Sequence, residues 1–291
     1  MWILLAVVSA LCLGAYDIFK KISVDGNNVP VVLFYNTLFS ALLMSPVLVI
    51  GIAGDGLILG GGVTGHVHIL IKSFIVLSSW LLGYFGLKHL PLTIAGPINA
   101  ARPVIVLVGA LLIFGETLNW LQWVGILLGF WSLFFISRLG SREGFSFKHS
   151  KWLWFSIGAT FMGAVSALYD KWLLKLYEPL QVQAWYSFYQ LIIMGVTLLL
   201  VIRMTPGKTR FRWSWAIPFI SVFLTIADIA YFYSLSIDGS MIAVVSMIRR
   251  GSVIVSFIYG VFALHEKNIK LKLIDLSVLL LGLLFLVLGS R

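Results

Sequence analysis

Ten apolar runs follow one another along this chain, each near the length needed to cross a bilayer, with little between them. They lie near residues 2–23, 30–53, 67–89, 91–114, 119–138, 151–175, 181–203, 213–235, 240–264 and 271–289. A spanning helix takes about 20 mainly apolar residues, whereas a tilted barrel strand takes about 10. Runs this long and continuously apolar therefore predict an all-α integral membrane protein with ten transmembrane helices. Composition agrees: 60% of the 291 residues are hydrophobic and 11% are charged, against about 45–50% and 25% in soluble domains. That excludes an ordinary soluble enzyme and a disordered chain. The single cysteine, Cys12, excludes a disulfide scaffold. The first run, Ile3–Leu13, has its charges Asp17, Lys20 and Lys21 after it rather than before it, so it reads as a retained helix and not a signal peptide. Gly51–Gly65 carries seven glycines and one charge, Asp55, and reads as a flexible loop.

The two halves resemble each other. Tyr16-Asp17 corresponds to Tyr169-Asp170, Phe34-Tyr35 to Trp185-Tyr186, Ile94-Ala95 to Ile242-Ala243, Arg102 to Arg250 and Glu116 to Glu266, all in order at a shift of about 150 residues. The basic connection around 138–151 divides the chain into one repeat at 1–140 and another at 149–291. Five helices per repeat is an odd number, so the second repeat is inverted relative to the first. Inverted repeats are a recurring architecture of secondary transporters, with the site near the midplane where the halves meet.

Charge gives an orientation. Loops 138–151, 203–212 and 267–272, with Lys20, Lys21 and Lys88, fall on one face, and Lys72, Lys171, Lys175 and Arg291 on the other. The richer face is predicted to be cytoplasmic, with both termini outside. Much of the net charge of +10 is thus topology control, and no nucleic-acid partner is implied.

Three arginines remain: Arg102, Arg249 and Arg250, each about halfway along its run. A central arginine facing lipid costs roughly 2.5–3.5 kcal/mol, so these face the bundle interior or a water-filled cavity. Asp228 is the one acid that counts as mid-depth, which leaves positive charge to attract an anion. Pro97 and Pro103 bracket Arg102 and Gly251 follows Arg250, and helix breaks at matching places of two halves point to a transport site. The guanidinium fork suits carboxylate or phosphate. Arg250, the mate of Arg102, is the expected direct ligand, with Arg249 pairing with Asp228 or flanking the site.

Tyr35, Asn36, Trp185, Tyr189 and the duplicated pair Tyr16 and Tyr169 are further candidates for substrate contact, each equally consistent with helix packing. Asp17 with Lys20 and Lys21, and more weakly Asp170 with Lys171, read as local ion pairs. His66 and His68, beside the glycine loop, lack the further ligands a metal needs. No phosphate-binding loop, zinc-protease motif or nucleophile elbow occurs in the sequence, so neither an ATP motor nor an enzyme is expected, and no cofactor.

The ten helices, the two inverted halves, and Gly115-Glu116-Thr117-Leu118 closing the fourth helix with Glu266 closing the ninth resemble the EamA-type transporters of the drug/metabolite transporter superfamily. The resemblance implies a polytopic carrier with a central cavity. A narrower resemblance is to the plastid-type sugar-phosphate exchangers of that superfamily, which hold phosphate with a basic residue on the fourth helix and a basic pair on the ninth. Arg102, Arg249 and Arg250 stand in the matching helices, with arginine where lysine is expected. Family members have cytoplasmic termini, opposite to the charge reading here. The expectation is a secondary transporter in the cell inner membrane for a small anionic metabolite, phosphorylated or carboxylated, with a counter-substrate or a proton as its coupling partner. The alternatives are an exporter of amino acids or drugs and a flippase for a phosphate-bearing lipid. The oligomeric state is left open.

Overall fold

In the computed structural model the described residues are 1–24, 27–53, 62–89, 98, 102–139, 151–204, 211–252, 255, 259 and 269–289. Among them there are helices and no strands. The helices are α1 (Trp2–Val24), α2 (Val29–Ala53), α3 (Gly62–His89), α4 (Arg102–Phe114), α5 (Trp120–Leu139), α6 (Lys151–Leu173), α7 (Pro179–Met204), α8 (Ala216–Ser236), α9 (Ile242–Arg249) and α10 (Ile269–Gly289). Six of them, α1, α2, α3, α6, α7 and α8, are long and apolar enough to cross a membrane. Residues 140–150 of loop 138–151, most of loop 203–212 and Lys267, together with Glu266 and Pro97, lie outside the described residues.

One expectation is corrected. The stretch Gly51–Gly65 is not wholly loop: α2 runs to Ala53 and α3 starts at Gly62, while 54–61 lie outside the described residues. The ninth helix breaks where Gly251 follows Arg250. It stops at Arg249, turns through Arg250 and Gly251, and Ser252 is helical again.

The chain forms two compact units. One comprises Met1–Leu77 and Asp170–Asp238, the other Ser78–Tyr169 and Gly239–Arg291. Each unit draws on both halves of the sequence, because α3 and α6 contribute to both.

In the first unit α1 lies antiparallel to α8. Ser234 Oγ donates to the Trp2 carbonyl at 2.8 Å and Ser9 Oγ to the Ala227 carbonyl at 2.7 Å, while Phe19 stacks on Phe219 and Phe223. Buried hydroxyls spent on backbone carbonyls are the expected adhesive between apolar helices. α2 runs parallel to α8, Asn36 meeting Ser221 and Ser40 meeting Thr225. It packs on α7 through Met44, Leu48 and Ala184. Pro46 inside α2 cannot bond the Leu42 carbonyl, and Ser45 Oγ donates to that carbonyl at 2.8 Å instead, the usual repair of a proline in a membrane helix. The α1–α2 and α7–α8 connections share one end of the unit: Asn27 Oδ1 accepts from the Arg212 backbone N–H at 2.6 Å and Asn27 Nδ2 donates to the Arg212 carbonyl at 3.0 Å.

In the second unit α5 and α10 cross backbone to backbone. A side chain at Gly125 would stand 2.7 Å from the Gly282 carbonyl oxygen, and one at Gly282 would stand 2.9 Å from the Gly125 oxygen. Gly129, one turn on, receives Met247 of α9. Small residues four apart permit this approach. α3 meets α6 where Ser79 Oγ donates to the Ala159 carbonyl at 2.9 Å, and α9 packs on α4 and α5.

Candidate anion site

α4 ends on Gly115, whose φ of +62° lies in the left-handed region, where glycine carries no Cβ penalty. The turn sends Glu116 to the first turn of α9. There Oε1 accepts from the Ile242 N–H at 2.7 Å and Oε2 from the Ala243 N–H at 3.2 Å. A helix start leaves unsatisfied N–H groups and partial positive charge, and a carboxylate answers both. Glu116→Ala is expected to destabilise the protein by about 1–2 kcal/mol, measured as a lowered melting temperature in detergent, with Glu116→Gln losing less. Asn119 and Gln122 then close the start of α5 reciprocally, each side-chain oxygen accepting from the other's backbone N–H at 2.9–3.0 Å, as in a capping box.

Held at its start, α9 delivers arginines at its end. Arg250 caps it, its N–H reaching the Met247 carbonyl at 3.0 Å, and the Gly251 N–H reaches Ile248 at 2.8 Å. These tightened bonds end the helix, and cations suit the carbonyl end. Arg102 stands at the described start of α4. Its guanidinium lies against Gly163 of α6 so closely that a Cβ there would be 2.5 Å from Cζ and 2.7 Å from Nε and Nη2. Arg249 is near enough to repel it. The Arg102 Nε is buried and has no hydrogen-bond partner among the described residues. Arg102, Arg249 and Arg250 are each partly buried. Arg102 thus offers a buried, unused donor with a second positive charge nearby, an arrangement that suits an anion.

The candidates divide between the units. Arg102, Arg249, Arg250 and Tyr169 belong to the second, and Asp228, Tyr35, Asn36, Trp185, Tyr189 and Tyr16 to the first. The neighbour that the structure gives Arg102 is Arg249. In the first unit, Tyr35 stacks on Phe211 at 4.8 Å beside Trp213. Asn36 is buried, and both its oxygens accept from Ser221 Oγ. Tyr16 lies under the Lys20 ammonium at 5.3 Å.

Two local readings are corrected. His66 is helical like His68, because α3 begins five residues earlier than the hydropathy boundary. His66 Nδ1 meets the Tyr189 hydroxyl at 2.9 Å, with its ring edge-on to Trp185. Lys72, counted with the charges of one membrane face, is instead buried: it is 2% exposed and its Nζ donates to Asp170 Oδ1. Asp170 thus pairs across helices with Lys72, and the Lys171 ammonium donates to the Leu235 carbonyl at 3.3 Å. The depth of Lys72 within its apolar run was the available signal. Nothing in the sequence pointed to Gly163.

Six helices long and apolar enough to cross a membrane indicate a multi-pass membrane protein, and the three arginines lie at the described start of the shorter α4 and at the end of α9. Residues 1–138 match the EamA-like transporter family. A solved crystal structure, described only as that of a protein, is similar to this chain with a TM-score of 0.77 at 15% identity, covering 100% of this chain and 97% of its own. At that identity the likeness is one of fold. No curated protein matches the sequence.

Proposed function

We propose that this protein is a secondary carrier of a small anionic metabolite, phosphorylated or carboxylated, working by alternating access. The observation that carries the reading is the second unit's arginine pair, with Arg249 near enough to repel Arg102 and an idle buried donor on Arg102. Such a cluster is costly to leave empty, which favours exchange of one anion for another. Arg250 and Arg102 are the proposed direct ligands and Arg249 their flanking charge. Asp228, at mid-depth in α8, is the proposed charge balance or proton acceptor. Tyr169, in the same unit as the arginines, is a proposed contact for the rest of the substrate.

Two inverted repeats, 1–140 and 149–291, are part of the proposal. In their support, α2 and its mate α7 run antiparallel, as do α5 and its mate α10. The bond from Ser9 on α1 to Ala227 on α8 also has a counterpart at the matching places of α6 and α3, where Ser79 donates to Ala159. A cell inner membrane location with the basic loops in the cytoplasm fits the Asn27–Arg212 contact, which joins two of the basic connections at one end.

Thermal protection in detergent tests the site. Ligands stabilise by RT ln(1 + [L]/Kd), so phosphates or carboxylates are expected to raise the melting temperature of the wild type and not of Arg102→Gln. Protection by quaternary amines or neutral compounds alone would refute an anion site.

A further inference from the structure

The first unit encloses a charge pair that the anion site does not use. Lys72 of α3 and Asp170 at the end of α6 have side chains 2% and 7% exposed, joined at 2.5 Å. The ammonium stands 4.3 Å from the ring centroid of Tyr186 on α7 and 4.6 Å from that of Phe232 on α8. Two apolar side chains of similar volume would hold these helices as well or better, because both charges must be stripped of water. Buried ionisable pairs inside spanning helices mark proton and ion pathways.

The surroundings extend this polarity into a lane. On α7, Gln183 and Gln190 flank Tyr186 at i−3 and i+4, the spacing of one helix face. They are 2% and 4% exposed, and Gln183 Oε1 and Gln190 Nε2 are buried without partners among the described residues. On α3, His68 is one turn before Lys72. It is partly exposed, its Nδ1 lies 3.1 Å from the Tyr177 hydroxyl, and its ring lies edge-on to Trp172. On α8, Asp228 is one turn from Phe232 on the same face. The charged and titratable groups around the pair are thus His68 from α3, Lys171 from α6, Tyr177 just beyond α6, Tyr186 from α7 and Asp228 from α8.

We propose that the Lys72–Asp170 pair is the proton-coupling site of this transporter, loaded through His68. The proposal rests on the transport reading for its consequence but not for its first observable. One proton passes from the His68 imidazolium nitrogen to an Asp170 carboxylate oxygen. Asp170 becomes a neutral acid, the imidazole returns to its neutral form, and the Lys72 ammonium loses its partner. No bond between heavy atoms changes. Histidine is the side chain suited to collecting protons near neutral pH. A metal ion is the poorer occupant, because it needs several oxygen ligands where Asp170 meets an ammonium that itself lies against two rings. Transport consumes the gradient only if the proton leaves on the opposite side, and Asp228 lies one turn further along the lane.

Infrared difference spectra of the full chain in lipid, between alkaline and acidic buffer, read the first observable. Acidification is expected to raise the carbonyl band of a protonated carboxylic acid in the wild type. That band should be missing in Asp170→Asn and in Lys72→Met/Asp170→Asn, and retained in Asp228→Asn. No band in the wild type, or an unaltered band in Asp170→Asn, overturns the proposal. The second arm uses labelled inorganic phosphate and proteoliposomes. A gradient of one pH unit supplies about a tenfold driving force per proton, so the ratio of gradient-driven to symmetric-pH uptake is expected to approach that in the wild type and to fall to about one in the double variant. An unchanged ratio, or drive by sodium instead of protons, overturns it. A wild type that moves no phosphate counts against the arginine reading alone, and the infrared arm then decides the coupling site by itself.

Discussion

Gly163→Leu is expected to weaken anion binding by about 10- to 100-fold, although it removes no charge and no hydrogen-bonding group. The reason is steric. The first atom of any side chain at 163 would fall 2.5 Å from Cζ of Arg102, well inside van der Waals contact. What it meets is the far end of a flexible side chain, so the guanidinium moves and the helices stay. A displaced arginine forfeits charge-assisted hydrogen bonds to its ligand, each worth about 1.5–3 kcal/mol, and about 1.4 kcal/mol is tenfold in affinity. Gly163→Ala should show the same effect at smaller size. Gly158→Ala is the control: on the same helix, its Cβ would meet only Leu82 Cδ1 at 3.4 Å, and affinity should hold. The measurement is ligand-dependent melting in detergent across an anion titration. Equal protection of Gly163→Leu and wild type would mean that the Arg102 position does not matter.

The second large effect is on stability. Lys72→Met strands the Asp170 carboxylate in an apolar surround, and Asp170→Asn strands the Lys72 ammonium between Tyr186 and Phe232. Removing one partner of a buried pair costs about 3–5 kcal/mol, whereas replacing both is often near neutral. The double variant Lys72→Met/Asp170→Asn should therefore recover most of what either single change loses. Denaturation of the four proteins in one detergent gives the cycle. Additive losses would mean that the two side chains act independently, against the contact seen between them.

The helices were legible because twenty apolar residues in a row have few other fates, and their number and order follow from hydropathy alone. Their ends were less so. Gly62 and Val63 read as the tail of a glycine loop, yet α3 starts there, and Lys72, counted with the charges of one membrane face, lies in the interior. The break at Arg250-Gly251 interrupts a run whose hydropathy barely changes, so a count of apolar residues alone does not reveal it. Local backbone chemistry held the signal, in the glycine directly after an arginine pair. The arginines themselves stood out because charge at mid-depth is expensive. Their neighbours did not. The approach of α4 to α6 at Gly163 is a tertiary fact, and a glycine in a membrane helix is too common to announce it. Gly115-Glu116 was visible as a motif, while its role as the cap of α9 needed the fold.

Exchange of labelled inorganic phosphate between the two sides of proteoliposomes at symmetric pH, for the wild type and for Arg102→Gln and Arg250→Gln, bears most directly on the claim that buried arginines carry an anion across. Saturable exchange in the wild type, inhibited by other phosphates or carboxylates and lost in both variants, is the predicted result. No exchange with any phosphate or carboxylate, or exchange that survives the loss of either arginine, would contradict it.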